Sequence, residues 1–204
     1  LDSNDLYYTI EKPGEEILYK DKNSKFFGYT FPITKEEDAK TIIEHLKKQH
    51  HSARHWCYAW QLGIENIKYR ANDDGEPSNS AGQPIYGQIQ SFDVTNILVV
   101  VVRYFGGVKL GVGGLISAYK NAAQLALNES IIVQKTINID FLIIFEYKNM
   151  NKVMRIIKEN KLNITKQELE LSCKIYISVR KKIADKIKEV FYTLYEVEVK
   201  EVRG

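Results

Sequence analysis

Asp73-Asp74-Gly75-Glu76-Pro77-Ser78-Asn79-Ser80-Ala81-Gly82-Gln83-Pro84-Ile85, followed by Val99-Val100-Val101-Val102-Arg103-Tyr104-Phe105-Gly106-Gly107-Val108-Lys109-Leu110-Gly111-Val112-Gly113-Gly114-Leu115, sets two polar, glycine-bearing loops around one apolar run. Residues 96–104 carry β-branched side chains on both faces, the pattern of a strand buried on both sides. The loop 105–114 leads from that strand into a helix expected over 115–128, whose Ala118, Ala122, Ala123 and Ala126 allow close approach to a neighbour. Backbone N–H groups of Gly106, Gly107, Gly111, Gly113 and Gly114 can converge there on an anion, favoured by the helix dipole, with Arg103 and Lys109 adding charge. The alternative is that these glycines supply positive φ and tight strand-to-helix packing. A Walker loop requires Gly-Lys-Ser/Thr, where this chain has Gly113-Gly114-Leu115; a dinucleotide fingerprint requires a third glycine where Ile116 stands.

The first loop concentrates Asp73, Asp74 and Glu76. Three carboxylates in one turn can bind Mg²⁺ or act as acid and base. The alternative is a turn in which Asp73 or Asp74 accepts backbone N–H bonds and Gly75 permits the reversal. The loop lacks the spacing of a calcium-binding hand, so no metal or other cofactor is expected. His55 and Cys57 project to one face of a strand expected over 54–62. No second Cys/His pair stands at a zinc spacing. A His55–Cys57 nucleophilic pair is possible chemistry, but Trp56, Tyr58, Ala59 and Trp60 give Cys57 a core-like setting, in which thiols are inert.

Outward from these loops, residues 17–19 and 26–31 flank the turn-prone Asp21-Lys22-Asn23-Ser24 and predict a hairpin. Thr34-x-x-Glu37 has the form of a capping box opening a helix, with Ala39, Ile42, Ile43 and Leu46 at helical spacing. His50 and His51 fall near its end, where protonated imidazole suits the dipole. Residues 66–70 are expected to pair with 54–62 across Gly63. Ser78 or Ser80 is expected to cap a short helix through Ser91. Beyond residue 136 the periodicity is cleaner: strand, amphipathic helix, two strands, helix and strand, the βαββαβ order of a ferredoxin-like domain. The division is expected near 132–136, giving domains 1–134 and 135–204.

The chain has 204 residues, 44% of them hydrophobic and 27% charged, as in an ordinary globular protein. No apolar run approaches the ~20 residues needed to span a bilayer. The first residues carry neither a basic nor an apolar segment, so no secretory signal is expected. The two cysteines, Cys57 and Cys173, lie in different expected domains and fit a reducing cytoplasm without a disulfide. The net charge of +3 is uneven: residues 1–135 hold 15 Lys/Arg against 16 Asp/Glu, and 136–204 hold 14 against 10. Arg180, Lys181, Lys182, Lys186 and Lys188 form either a solvated helix face or one that meets phosphate.

Four segments together resemble the YigZ/IMPACT family: Lys22-Asn23-Ser24-Lys25-Phe26-Phe27-Gly28, Ala53-Arg54-His55-Trp56-Cys57-Tyr58-Ala59-Trp60, and the loops 73–84 and 103–114. Trp56 replaces a His common in bacterial relatives, which tells against a mechanism built on adjacent histidines. The start of the chain at the shared domain fits a bacterial-type member without the N-terminal interaction domain of eukaryotic relatives. The resemblance implies an α+β, two-domain protein similar to domains IV and V of elongation factor G. The first is a translation-factor domain-IV-like α/β sandwich; the second is ferredoxin-like. It also implies translation-related regulation and binding to RNA, the ribosome or a translation factor, and brings no established catalytic residues.

Two functional readings follow. In the first, a cytoplasmic, non-catalytic regulator contacts RNA phosphate through Arg54, Arg103, Lys109 and Lys120. Lys181 and Lys182 extend that surface, with no membrane association and no DNA sequence specificity. In the second, an enzyme or small-ligand binder holds a phosphorylated substrate with Arg103, Lys109 and the glycine loop, and Asp73, Asp74, Glu76 and His55 supply acid, base or metal chemistry.

Overall fold

A computed structural model describes residues 5–202. The elements run β1 (Leu6–Ile10), β2 (Ile17–Asp21), β3 (Ser24–Pro32), α1 (Glu36–Gln49), β4 (His55–Leu62), β5 (Lys68–Asn72), α2 (Gly82–Ser91), β6 (Ile97–Tyr104) and α3 (Gly111–Asn128). They continue with β7 (Ile132–Thr136), β8 (Asn138–Glu146), α4 (Met150–Glu159), β9 (Asn163–Leu169), β10 (Ser172–Arg180), α5 (Lys181–Tyr192) and β11 (Val197–Val202). The chain is a two-unit mixed α/β protein: Tyr7–Gln134 forms one compact unit, and Lys135 onward groups with the segment ending at Leu6. Among the described residues no helix is long and apolar enough to cross a membrane.

In the larger unit, five antiparallel strands lie in the order β2-β3-β6-β4-β5. The central strand β6 is buried along Ile97–Arg103 because both its faces are covered. Ile97, Val99 and Val101 pack with α2 and α3; Leu98, Val100 and Val102 pack with Ala39, Ile43 and Leu46 of α1. A strand between two helical layers has no polar face, which is why the sequence shows no alternation there. Alanines on α3 let it lie close to the sheet, where a Cβ on Gly28 would come 3.0 Å from the Ala122 carbonyl oxygen. β1 and β7 form a separate two-stranded sheet.

Helix ends are secured by acidic side chains that sequence spacing misassigns. Asp38, not Glu37, closes the start of α1, accepting from the backbone N–H groups of Thr34 and Lys35 and from the Thr34 hydroxyl. These bonds hold its carboxyl below the usual carboxylate range. Neither Ser78 nor Ser80 caps α2; Asp73 does so from outside the helix. His50 is not a protonated helix-end group: it is buried, with Nε2 2.5 Å from Tyr29 OH and Nδ1 2.9 Å from Tyr104 OH. Burial holds its imidazole below the ordinary value, against the opposing charge of Glu16. His51 is exposed.

In the smaller unit, four antiparallel strands lie in the order β11-β8-β10-β9. Inward residues of α4 (Val153, Ile156, Ile157) and α5 (Ala184, Ile187, Phe191) share one core with alternate residues of β8 and β10. Asp5 sits at the start of α5, where the Arg180 guanidinium binds it at 2.5 Å; this pairing, aided by the Lys182 charge and backbone N–H, lowers its pKa against opposing burial. An acidic group at a helix N-terminus complements the positive end of the dipole.

Candidate ligand-binding cavity

The loop between β5 and α2 folds back on β4 because its acidic side chains serve the backbone. Asp73 Oδ1 accepts from the N–H groups of Ala81 (2.9 Å) and Gly82 (2.8 Å), and Oδ2 from Asn79 (2.9 Å). Asp74 has φ +42°, and its Oδ2 accepts from Trp56 N–H at 2.7 Å. Gly75 supplies the next positive φ, +87°, and completes the reversal. Asp73 and Asp74 are therefore structural acceptors. The expected three-carboxylate group is not assembled, and among the described residues no three His, Cys, Asp or Glu side chains form a metal-ligand group.

Glu76 is the carboxylate that the turn delivers inward. Its side chain is 4% exposed, and Oε1 accepts from Arg103 Nη1 at 2.6 Å and from Tyr119 OH at 2.7 Å. Burial, with Cys57 and Glu76 alongside, pushes the Tyr119 phenol far up, so it remains a donor. His55 Nε2 lies 4.0 Å from Glu76 Oε1. His55 Nδ1 is 2.9 Å from the Asp74 carbonyl oxygen. A carbonyl only accepts, so Nδ1 carries a hydrogen and Nε2 is the ring nitrogen nearer Glu76.

Cys57 is buried, and its thiol donates to the Asp73 carbonyl at 3.0 Å. Burial raises its pKa above the usual thiol range. It is a core residue, not a nucleophile.

These groups open onto a cavity of about 440 Å³. Arg54, His55, Glu76, Arg103, Phe105 and Lys109 supply its polar and aromatic lining, and Leu110, Val112 and Leu115 its apolar side. The Arg103 guanidinium lies 5.6 Å from the Phe26 ring and 5.7 Å from the Phe105 ring. Its Nε is buried with no hydrogen-bond partner. With Glu76 held by Arg103, the cationic side chains of Arg54 and Lys109 leave the lining net positive, a field that attracts anions.

The glycine loop divides into different roles. Helix α3 begins at Gly111, not at Leu115, so Gly113 and Gly114 belong to its first turn. Gly111 has φ +72° and lines the cavity; Gly107 has φ +86° in open space. Gly106 is demanded by packing, since a Cβ there would fall 2.1 Å from the Asn23 carbonyl carbon. Lys120 is exposed on α3 and does not line the cavity; Lys181 and Lys182 open α5 in the other unit. Sequence reasoning missed Tyr119: within an alanine-rich helix, nothing local marks it as the partner of a carboxylate 43 residues earlier.

Residues 22–127 match the Impact N-terminal domain family. The chain is 38% identical over 129 residues to the IMPACT family member YvyE of Bacillus subtilis (strain 168), covering 63% of this chain and 59% of that protein. It is 30% identical over 180 residues to an IMPACT family member of Haemophilus influenzae, covering 86% of each. With the IMPACT family member YigZ of Escherichia coli (strain K12) it shares 33% identity over 139 residues, 67% of this chain and 68% of that one. A crystal structure of a hypothetical protein has the same fold across 98% of both chains, at a TM-score of 0.72 and 24% identity. The matched region contains the whole β5–α2 turn, the central strand and the glycine loop, and with it every residue lining the cavity, so the chain belongs to the IMPACT family.

Proposed function

We propose that this protein is a cytoplasmic, non-catalytic regulator of translation that binds RNA, the ribosome or a translation factor through the surface around the β4–β6–α3 cavity. The observation that carries the reading is the cavity lining, which holds Arg54 and Lys109 together with a Glu76 already paired with Arg103. Such a surface attracts phosphate without requiring a reaction. Family membership supports the translation-related role. The domain assignment belongs to the same proposal. We assign residues 1–134 to the domain similar to the translation-factor α/β sandwich, although the segment ending at Leu6 groups with residues 135 onward. Residues 135–204 form a ferredoxin-like domain, supported by the strand order β11-β8-β10-β9 with two helices in one core.

The juxtaposition of His55, Glu76 and Arg103 favours a second reading, a small-ligand binder or enzyme for a phosphorylated compound. Crosslinking in lysate, followed by identification of bound RNA, ribosomal particles and small molecules, tests both. Recovery of RNA or ribosomes, lost on Lys109→Ala, supports the first. Recovery of a phosphorylated small molecule alone supports the second. Recovery of neither RNA, ribosomal particles, a translation factor nor a phosphorylated molecule contradicts both.

A further inference from the structure

We infer that the cavity is a pocket for one ribonucleoside phosphate, either free or as the phosphorylated end of an RNA strand. This rests on the reading that the cavity takes phosphate, and it specifies what accompanies that phosphate. A volume of about 440 Å³ lies within the range of small-ligand sites and is too small for a folded nucleic acid segment.

The lining presents three kinds of recognition. Arg54 and Lys109 supply the exposed positive charges for a phosphate. Arg103, at 7% side-chain exposure, also lines the cavity, with Nη1 committed to Glu76 and its buried Nε without a hydrogen-bond partner. Gly111 opens α3 at the same wall with φ +72°, leaving the first-turn N–H groups of the helix without intrahelical partners.

The second kind is a pair of polar groups, an imidazole nitrogen and a carboxylate. His55 presents Nε2, and Glu76 presents a carboxylate whose Oε1 already accepts from Arg103 and Tyr119. A carboxylate beside a cationic site repels bare phosphate oxygens and suits hydroxyl donors, and a hydroxyl can both donate and accept at the imidazole. A ribose places hydroxyls next to its phosphate, and 2′-deoxyribose lacks one of them. The third is the Phe105 ring, 46% exposed at the rim and beside Leu110, Val112 and Leu115, a flat apolar wall on which a base stacks.

The test is titration of the full chain, at low salt, with the four ribonucleoside 5′-monophosphates, their 2′-deoxy counterparts, ribose 5-phosphate and inorganic phosphate. A second arm uses a short single-stranded RNA with a 5′-phosphate, a 3′-phosphate or hydroxyls at both ends. The expected result is binding of a ribonucleotide about tenfold tighter than its deoxy form or ribose 5-phosphate, as one lost hydrogen bond or stacking contact implies. Lys109→Ala and Phe105→Ala, both at exposed positions, should each weaken it about tenfold with unchanged melting. Preference in the first arm identifies a free nucleotide as the source; dependence on a terminal phosphate in the second identifies an RNA end. RNA binding that ignores terminal phosphates, with no monophosphate bound, overturns this inference and leaves the RNA reading standing. Equal binding of inorganic phosphate and nucleotide also overturns it. No binding of any phosphate-containing probe removes the phosphate reading as well.

Discussion

Arg103 donates from Nη1 to Glu76 Oε1 over 2.6 Å, and both side chains are almost wholly buried. The pair joins the central strand to the β5–α2 turn, with Tyr119 of α3 as a third partner. Glu76→Ala leaves the Arg103 charge and the Tyr119 hydroxyl without their acceptor. Breaking a buried pair in this way costs about 3 kcal/mol. Denaturant titration should show that loss, and Glu76→Gln, which keeps an acceptor oxygen, should recover part of it.

Asp73 serves three backbone donors and none of the cavity. Asp73→Ala should lower stability by about 1–2 kcal/mol, as loss of a helix cap does. Ligand affinity of the folded fraction should remain near that of wild type. A selective loss of binding with unchanged stability would restore Asp73 to the site.

The glycines of the second loop should rank by geometry. Gly106→Ala forces a Cβ against the backbone of Asn23 and Ser24 and should be the most damaging. Gly107→Ala meets nothing but sits at φ +86°, costing about 1–2 kcal/mol. Gly113→Ala, in open space in the first turn of α3, should be neutral or gain up to about 1 kcal/mol. Thermal melts of the three variants read this order.

Burial depresses the folded-state pKa of His50, so the unfolded chain binds its proton more readily. The stability from neutral His50 is complete above the ordinary imidazole value of about 6.5 and is lost as pH falls from there through the depressed value. Stability measured across that window should fall with acid, and His50→Phe should flatten the His50 part of the slope. Glu16, Tyr29 and Tyr104, which surround the imidazole, are unchanged in that variant.

The strands and helices of the smaller unit were legible because each has one wet and one dry side. Ile139, Phe141, Ile143 and Phe145 alternate, and Val153, Ile156 and Ile157 recur at helical spacing. The double-sided burial of β6 was legible from its unbroken apolar run, Ile97 to Val102, β-branched on both faces. Capping was less so: Thr34 and Glu37 have the right spacing, but Asp38 has the shorter side chain that reaches back to both N–H groups. Asp73 caps a helix nine residues ahead, a relation that only the folded turn creates. In the site, Arg103, Lys109, His55 and Glu76 stood out because charge beside glycine has no use in a core. The separation of Glu76 from Asp73 and Asp74 was not legible, since adjacent carboxylates diverge once Asp74 and Gly75 adopt positive φ.

In the proposed function the cavity surface holds nucleic-acid phosphate, with Lys109 as an exposed contact. The direct measurement is the salt dependence of binding between the full chain and a short single-stranded RNA, for wild type and Lys109→Ala. One phosphate contact on a single strand contributes about 0.7 to the slope of log affinity against log salt. Wild type should bind measurably at low salt, and the slope of the variant should be shallower by about that amount. A wild type that does not bind at low salt, or a variant with the same affinity and slope, would contradict it.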